Sequence, residues 1–349
     1  MNNLIQPPVN PFVAQQQILI ERLKLLLAAL NPVLQTDVVQ ALEGAGKLLS
    51  QPEPQAEQAG PTLPAGHWPL LTLLVAQSIS PDVDTVFVSS VAVAVECFVC
   101  ALDLLDDVID EDQTPTLQTL GAARTLNVST ALLTLTQQAI LSLSPKAVAP
   151  ELILHLLKTF QEAALVASTG EHQDVLAEQR PARDFTREEC IEIARAKAGS
   201  IMRLACRLGA LCAGADDDLC EQFSELGELL GIAHQLDNDS HDLYYLLQSD
   251  TLPVSSIEPK TAIANIKSDL VRRKKTLPVV LASQTHSTLQ KTSSSTDEEK
   301  NEYLQALREG ILTTWGICQL YRERARDRLQ EIEAQKPVSH LLRLLLGFE

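Results

Sequence analysis

Asp106, Asp107 and Asp110 in the string DDVID, and Asn238, Asp239 and Asp242 in NDSHD, place carboxylates in stretches that are otherwise apolar. Charge in such a setting is costly unless something offsets it. At about 3.6 residues per turn, Asp103, Asp106, Asp107 and Asp110 recur at i, i+3, i+4 and i+7, and so do Gln235, Asn238, Asp239 and Asp242; each set forms one polar stripe along a helix. Two such stripes face to face make a cage of oxygens. Oxygen-only donors without ordered His or Cys spacing suit Mg²⁺, which keeps several waters and is shared between a few carboxylates and the phosphates of a substrate. The residues therefore point to a magnesium–diphosphate site between two helices. An acidic helix end facing solvent gives the same strings, so the surrounding elements must decide.

Those elements are helical. Gln15–Leu30, Thr130–Leu143, Ala149–Ser168, Arg187–Gly214 and Asn301–Ile332 carry apolar residues at every third or fourth place, and no convincing alternating strand is present. Pro, Gly and Ser clusters break the pattern at 51–66, 180–186, 249–259 and 285–300, the last polar enough to expect a mobile stretch. The run Val86–Leu105 is long and apolar enough to cross a bilayer, but it contains Glu96 and Asp103 and leads into DDVIDED. A lone spanning helix tolerates those charges poorly, so a helix buried by other helices, and no integral membrane segment, is expected. The expectation is one all-α bundle over 1–349, with N-terminal helices and a loop over 1–62.

The formal charge of −17 over 349 residues argues against nucleic acid or an anionic membrane as partner, since both need a cationic footprint. A polyanionic substrate has to be drawn in by local lysine, arginine and metal. Seven irregularly spaced cysteines read as buried or free thiols in a reducing compartment. The N-terminal string MNNLIQPPVNPF lacks the pattern of a secretory signal, and a cytoplasmic protein is the expectation.

Further pieces stand in fixed order around the acidic stripes: GEHQDV from Gly170, KAGSI from Lys197, LGELLGIAHQLDNDSHD over Leu226–Asp242, and SDLVRRKKTLPVVLA from Ser268. Together with DDVIDED this order resembles the trans-isoprenyl diphosphate synthases (polyprenyl synthetases) of the class I isoprenoid synthase superfamily, over about 63–329. The resemblance implies an all-α helical bundle around a central active-site cavity, and a homodimer. It implies that Asp106, Asp107, Asp110, Asn238, Asp239 and Asp242 are catalytic. Asp106, Asp107, Asp110, Asp239 and Asp242 would hold Mg²⁺, three ions per site, against the diphosphate of an allylic prenyl substrate. Lys197, Lys274, Gln235 and Asp174 would bind that diphosphate, with Glu171 standing where the family has a glutamine and His234 where it has a phenylalanine.

Breaking the allylic carbon–oxygen bond requires neutralisation of the leaving diphosphate, and the cation must be kept from water by an apolar wall. Phe98, Ala101 and Leu102, upstream of Asp106 and on or near its stripe, are the expected wall, with small Ala101 letting the pocket deepen towards Phe98. Trp68, Tyr244 and Tyr245 are either ring faces for a cation or plain core. His234 is either a satisfied core histidine or a base for the final proton. Arg272, Arg273 and Lys275 read as surface residues or as a cover over the diphosphate.

The chain departs from chain-elongating members of that family at every contact to a second substrate, isopentenyl diphosphate. Ala65–Leu71, AGHWPLL, has no Lys or Arg; Val99 stands in place of a histidine; Gln113, Thr114 and Pro115 follow Asp112 where an arginine pair is expected. Each lost charged contact costs about 1.5–3 kcal/mol, so three together weaken binding by several powers of ten. Ionisation of one allylic diphosphate survives. The sequence favours cyclisation or deprotonation of the resulting cation, as in a terpene synthase. Prenyl transfer, by elongation or to a non-diphosphate acceptor such as a peptide, is the alternative, and a non-catalytic partner subunit of a prenyl synthase is a third.

Overall fold

The structure, a computed structural model, describes residues 10–44, 46–50, 64–143, 148–248, 274–285 and 297–348, without the side chains of 242, 245, 246, 248 and 297–300. Among these residues every regular element is helical: α1 Val13–Leu27, α2 Pro32–Leu42, α3 His67–Ile79, α4 Thr85–Ile109, α5 Pro115–Leu141, α6 Pro150–Ala177, α7 Arg187–Ala194, α8 Ser200–Cys212, α9 Asp217–Gln248, α10 Leu277–Thr285, α11 Asp297–Gln335 and α12 His340–Leu346. The all-α expectation holds. Of the expected mobile stretch 285–300, residues 286–296 lie outside the described residues; Thr285 ends α10 and 297–300 open α11.

Helix starts follow local chemistry. Asp84 accepts the Val86 N–H at 2.9 Å to cap α4, Thr114 precedes Pro115 and accepts the Leu117 N–H at 3.4 Å, and Thr186 with Glu189 forms a reciprocal capping box at α7. The first of these sets the register of the helix that carries DDVID.

Helix α4 is the axis of the bundle, packed by α1, α3, α5 and α8. Its run from Phe87 to Ala101 is entirely buried, and each buried Val or Leu contributes roughly 1.5–3 kcal/mol. Among the described residues it is the one helix long and apolar enough to cross a membrane, and 78% of its most apolar window is covered by the bundle. All seven cysteines are unpaired and buried.

Small residues bring the elements around α4 into close contact. A Cβ on Gly170 of α6 would lie 2.7 Å from the Ala196 Cβ and 3.0 Å from the Lys197 nitrogen; one on Gly231 of α9 would lie 2.4 Å from the Ala198 oxygen. Between α7 and α8, Arg195–Gly199 is a π-helical turn, a widened turn common at functional sites, and Lys197 sits at its centre. The two glycines thus let α6 and α9 close on that turn.

The loop before α3 is tied to α4 by polar contacts. The Leu48 N–H donates to the Glu96 Oε1 at 2.5 Å, Lys47 pairs with Asp103, and the Gly66 N–H donates to the Gly46 oxygen at 2.9 Å. Gly66 has φ +68, and a Cβ there would strike Leu48 at 2.3 Å. Glu96 is fully buried, and that burial pushes its carboxyl up to about 7 against the pull of Lys47 and the Leu48 N–H. A carboxyl raised on folding stabilises fully below its unfolded value and loses that contribution as pH rises to the folded value. Stability of the metal-free protein is therefore expected to fall between about pH 4.5 and 7, by up to roughly 3 kcal/mol from this group. Glu96→Gln should flatten that part of the profile in denaturant unfolding at a series of pH values; an unchanged slope would refute the assignment.

Candidate active site

A cavity of about 560 Å³ opens between α3, α4, α6, the π-helical turn, α9 and the segment entering α10. Asp106 lines it from the last turns of α4, and Asp110 lies behind, 3% exposed, paired with Lys274. Glu171 and Asp174 reach in from α6, Lys197 from the π-helical turn, and Gln235, Asn238 and Asp239 from α9. Both acidic stripes of the sequence thus contribute to one cavity.

The lysines act as local counter-ions. The Lys197 ammonium lies 3.1 Å from Asp106, 2.7 Å from Glu171 and 3.0 Å from Asp174, and Lys274 lies against Asp110 and 3.9 Å from Asp174. Burial alone would lower the Lys197 pKa, but Asp106, Asp174 and Glu171 outweigh it and hold the ammonium charged. Glu171 is pushed up to about 7 by its burial and then by Asp106, against Lys197.

Oxygens of Asp106, Asp110 and Glu171 lie within 4.8 Å of one another. An all-carboxylate set at that spacing fits a hard cation such as Mg²⁺. Glu171 in this set is the residue to which the sequence assigned no role; its signal is the carboxylate standing in place of glutamine. On α9, Gln235 donates to the Asp239 Oδ1 at 2.9 Å, and Asn238 lies 3.4 Å from the His234 Nε2. The Asp242 and Tyr245 side chains, and Arg272 and Arg273, fall outside the described residues. Asp107 is turned from the cavity lining, its Oδ2 accepting from the Thr114 hydroxyl at 3.1 Å.

The apolar wall differs from the expected one. Leu102 lines the cavity, joined by Val99, Leu105, Ile109 and Trp68; Phe98 and Ala101 do not. Ala101 is one residue, about 100°, around the helix from Leu102, and its carbonyl accepts the Ser129 hydroxyl at 2.9 Å. Phe98 lies one turn below Leu102 and packs edge-on against Phe160 at 5.8 Å. Trp68, His67 and His234 form a triangle of rings, with centroids 4.8 Å apart for His67–Trp68, 5.8 Å for Trp68–His234 and 5.9 Å for His67–His234. Burial lowers the pKa of His234, with Asp237 and Asp103 opposing. Tyr244 is 37% exposed and packs on Trp315, away from the cavity lining. Lys275 lines the cavity and donates to the Glu178 carbonyl at 3.4 Å.

This arrangement of helices and acidic stripes has relatives. A polyprenyl synthetase profile matches residues 67–310, more than half of the chain. The chain belongs to the polyprenyl synthetase family. It is 30% identical over 198 residues to a geranylfarnesyl diphosphate synthase of Aeropyrum pernix, covering 55% of this chain and 58% of that one. It is also 30% identical over 162 residues to the tryptophan prenyltransferase ComQ of Bacillus spizizenii, covering 46% and 53%. The matches thus span little more than half the length of these relatives. Among solved structures, the heptaprenyl diphosphate synthase of Staphylococcus aureus superposes with a TM-score of 0.72 at 17% identity, over 98% of this chain and 97% of that one. A geranylgeranyl pyrophosphate synthase of Lactobacillus brevis gives 0.70 at 21% identity, over 97% of each chain. At those identities the structures establish the polyprenyl synthetase fold.

If Lys197 is the counter-ion of the carboxylate cluster, Lys197→Met takes from Asp106, Glu171 and Asp174 the one ammonium that touches all three. Denaturant unfolding in Mg²⁺-free buffer should show a loss of about 3 kcal/mol or more, partly recovered by added Mg²⁺. An unchanged midpoint would contradict the assignment.

Proposed function

We infer that this chain is a Mg²⁺-dependent prenyltransferase that ionises an allylic prenyl diphosphate and passes the prenyl group to an acceptor carrying no diphosphate. The observation that carries this reading is the uneven charge of the cavity. Lys197, Lys274 and Lys275 are all on the side that holds the carboxylates. Val99 lies seven residues before Asp106, about 10 Å deeper along α4, and the wall there is Trp68, Val99 and His234. No Lys or Arg occurs between Lys47 and Arg124, a span that contains all of α3 and α4. Among the described residues that line the cavity, the lysines serve one diphosphate, and the wall around Val99 adds no lysine or arginine for a second.

Asp106, Asp110 and Glu171, with Asp239 across the cavity, are the residues that would hold Mg²⁺. Mg²⁺ bound there would supply Lewis-acid neutralisation of the leaving diphosphate. Lys197 and Lys274 hold the diphosphate oxygens and stabilise the charge that grows on them. Leu102, Val99 and Trp68 keep water from the allylic carbon. In the transfer, the C1–O bond breaks with its electron pair going to diphosphate, the acceptor's electron pair forms the new bond to C1, and the acceptor gives up one proton.

Cyclisation, the outcome the sequence favours, has less support than transfer, because the relatives at 30% identity carry the names of prenyl synthases and prenyltransferases. Elongation with isopentenyl diphosphate is the second reading, supported by the match to the Aeropyrum pernix synthase. A homodimer is part of the proposal. Leu154, Leu165 and Leu176 recur every eleven residues, three turns, along α6, and with Leu126 and Leu141 of α5 they are exposed.

Purified protein with Mg²⁺ and geranyl, farnesyl or geranylgeranyl diphosphate should release diphosphate when an alcohol, thiol, amine or peptide acceptor is present, and Asp106→Asn/Asp110→Asn should lower the rate by at least a thousandfold. Efficient formation of longer diphosphates on adding isopentenyl diphosphate would return the reading to elongation. Hydrocarbons formed without any acceptor would return it to cyclisation. Sedimentation should give twice the 38.1 kDa chain mass, reduced to the monomer by Leu154→Glu/Leu165→Glu; a monomeric wild type would refute the dimer.

A further inference from the structure

We propose that the wall made by Trp68, Val99, Asp103 and His234 is the binding site for an aromatic acceptor that donates an N–H or O–H hydrogen bond, anchored by the Asp103 carboxylate, with Lys47 as the residue that positions it. This rests on the prenyltransferase reading and names the acceptor class.

Asp103 lies one turn before Asp106 and lines the cavity, yet neither Lys197 nor Lys274 touches it. Its partner is Lys47, which engages Oδ2. The Asp103 side chain is 56% exposed while that of Lys47 is 8% exposed, so the pair is approached from the carboxylate side. Among the described residues, Oδ1 has no hydrogen-bond partner, which leaves it for a donor entering the cavity. Lys47 is the single Lys or Arg between Lys24 and Arg124. Burial opposes its charge, but Asp103, Cys100 and Glu96 hold the ammonium charged. It is therefore committed to the clamp between the N-terminal loop and α4. A second diphosphate placed here would meet Asp103 before Lys47.

The rest of the wall is made of rings and an aliphatic side chain, with Asp237 and Arg322 also acting on His234. Trp68, 6% exposed, packs against His67 and His234. Both ring nitrogens of His67 are buried without a hydrogen-bond partner, and burial, His234 and Lys47 all lower its pKa. Ring faces beside one carboxylate suit an aromatic compound with one polar hydrogen. The cavity, about 560 Å³, is within the range of roughly 300–1,000 Å³ that holds a drug-sized ligand. On transfer, the acceptor atom whose electron pair attacks C1 loses its proton to Asp103, which passes it to the solvent it faces, while diphosphate leaves with the C1–O electron pair.

Indole and p-cresol are the probes, with geranyl diphosphate and Mg²⁺; 1-methylindole and 4-methylanisole are the controls without the donor hydrogen. The full chain should prenylate indole or p-cresol with one diphosphate released per product, and kcat/KM for the controls should be at least tenfold lower. Asp103→Asn keeps an oxygen for Lys47 but turns an NH₂ group towards the acceptor's donor. It should raise KM for the acceptor at least tenfold while KM for geranyl diphosphate stays within twofold, and Asp103→Glu should recover part of the loss. Calorimetric titration of indole into the Mg²⁺-free protein should show binding that Asp103→Asn and Lys47→Met both weaken. Diphosphate release with other acceptors but neither probe, equal use of the controls, or an Asp103→Asn variant with unchanged acceptor KM would overturn the proposal while leaving the prenyltransferase reading intact. Lys47-dependent consumption of isopentenyl diphosphate would overturn both.

Discussion

The structure depends on the neutralisation of carboxylates by two lysines inside an apolar bundle. Asp106, Asp110, Glu171 and Asp174 converge from α4 and α6, and Lys197 and Lys274 hold them together. Without those ammonium groups the carboxylates would repel one another or take up protons. The same arrangement suits the magnesium diphosphate of the proposed reaction. The cation set complements phosphate oxygens, the carboxylate set complements a hard metal, and both are desolvated before the substrate arrives. Pre-ordering of this kind is where electrostatic catalysis obtains most of its effect.

Helix packing makes the arrangement possible. Lys197 reaches three carboxylates because it sits in a π-helical turn, and that turn is approached closely by α6 and α9 at Gly170 and Gly231. Along α4 the character of the cavity then changes within about two turns, from Asp106 to Val99, as the neighbouring element changes from α6 to α3. The result is a cavity with one strongly charged end and one end made of rings, aliphatic side chains and a single carboxylate. In the proposed reaction that asymmetry sets the prenyl diphosphate at one end of the cavity and the acceptor at the other.

Much of this was legible in the residues. The helical class, the buried nature of α4 and the two acidic stripes follow from periodicity, which depends on local spacing, while the meeting of Lys197, Lys274 and Asp174 with those stripes was implied by the family resemblance of the ordered motifs. The wall was less legible. Phe98 and Ala101 lie on or near the stripe, but helix phase and depth relative to α3 and α5 decide which side chains reach the cavity, and those are tertiary facts. Lys47 lies far from Asp103 in sequence, in a loop whose path depends on Gly46, Gly66 and Glu96. Glu171 was visible only as a substitution; its meaning comes from the distance to Asp106 and Asp110.

The most direct test of the account is a crystal structure of the protein with Mn²⁺ and an unreactive thiolo analogue of geranyl diphosphate. The account predicts anomalous peaks for Mn²⁺ at Asp106, Asp110 and Glu171, diphosphate oxygens on Lys197 and Lys274, and a prenyl tail running along Leu102 towards Val99 and Trp68, with no anion at Asp103. A diphosphate bound at Lys47, or Mn²⁺ absent from the Asp106 cluster at saturating concentration, would contradict it.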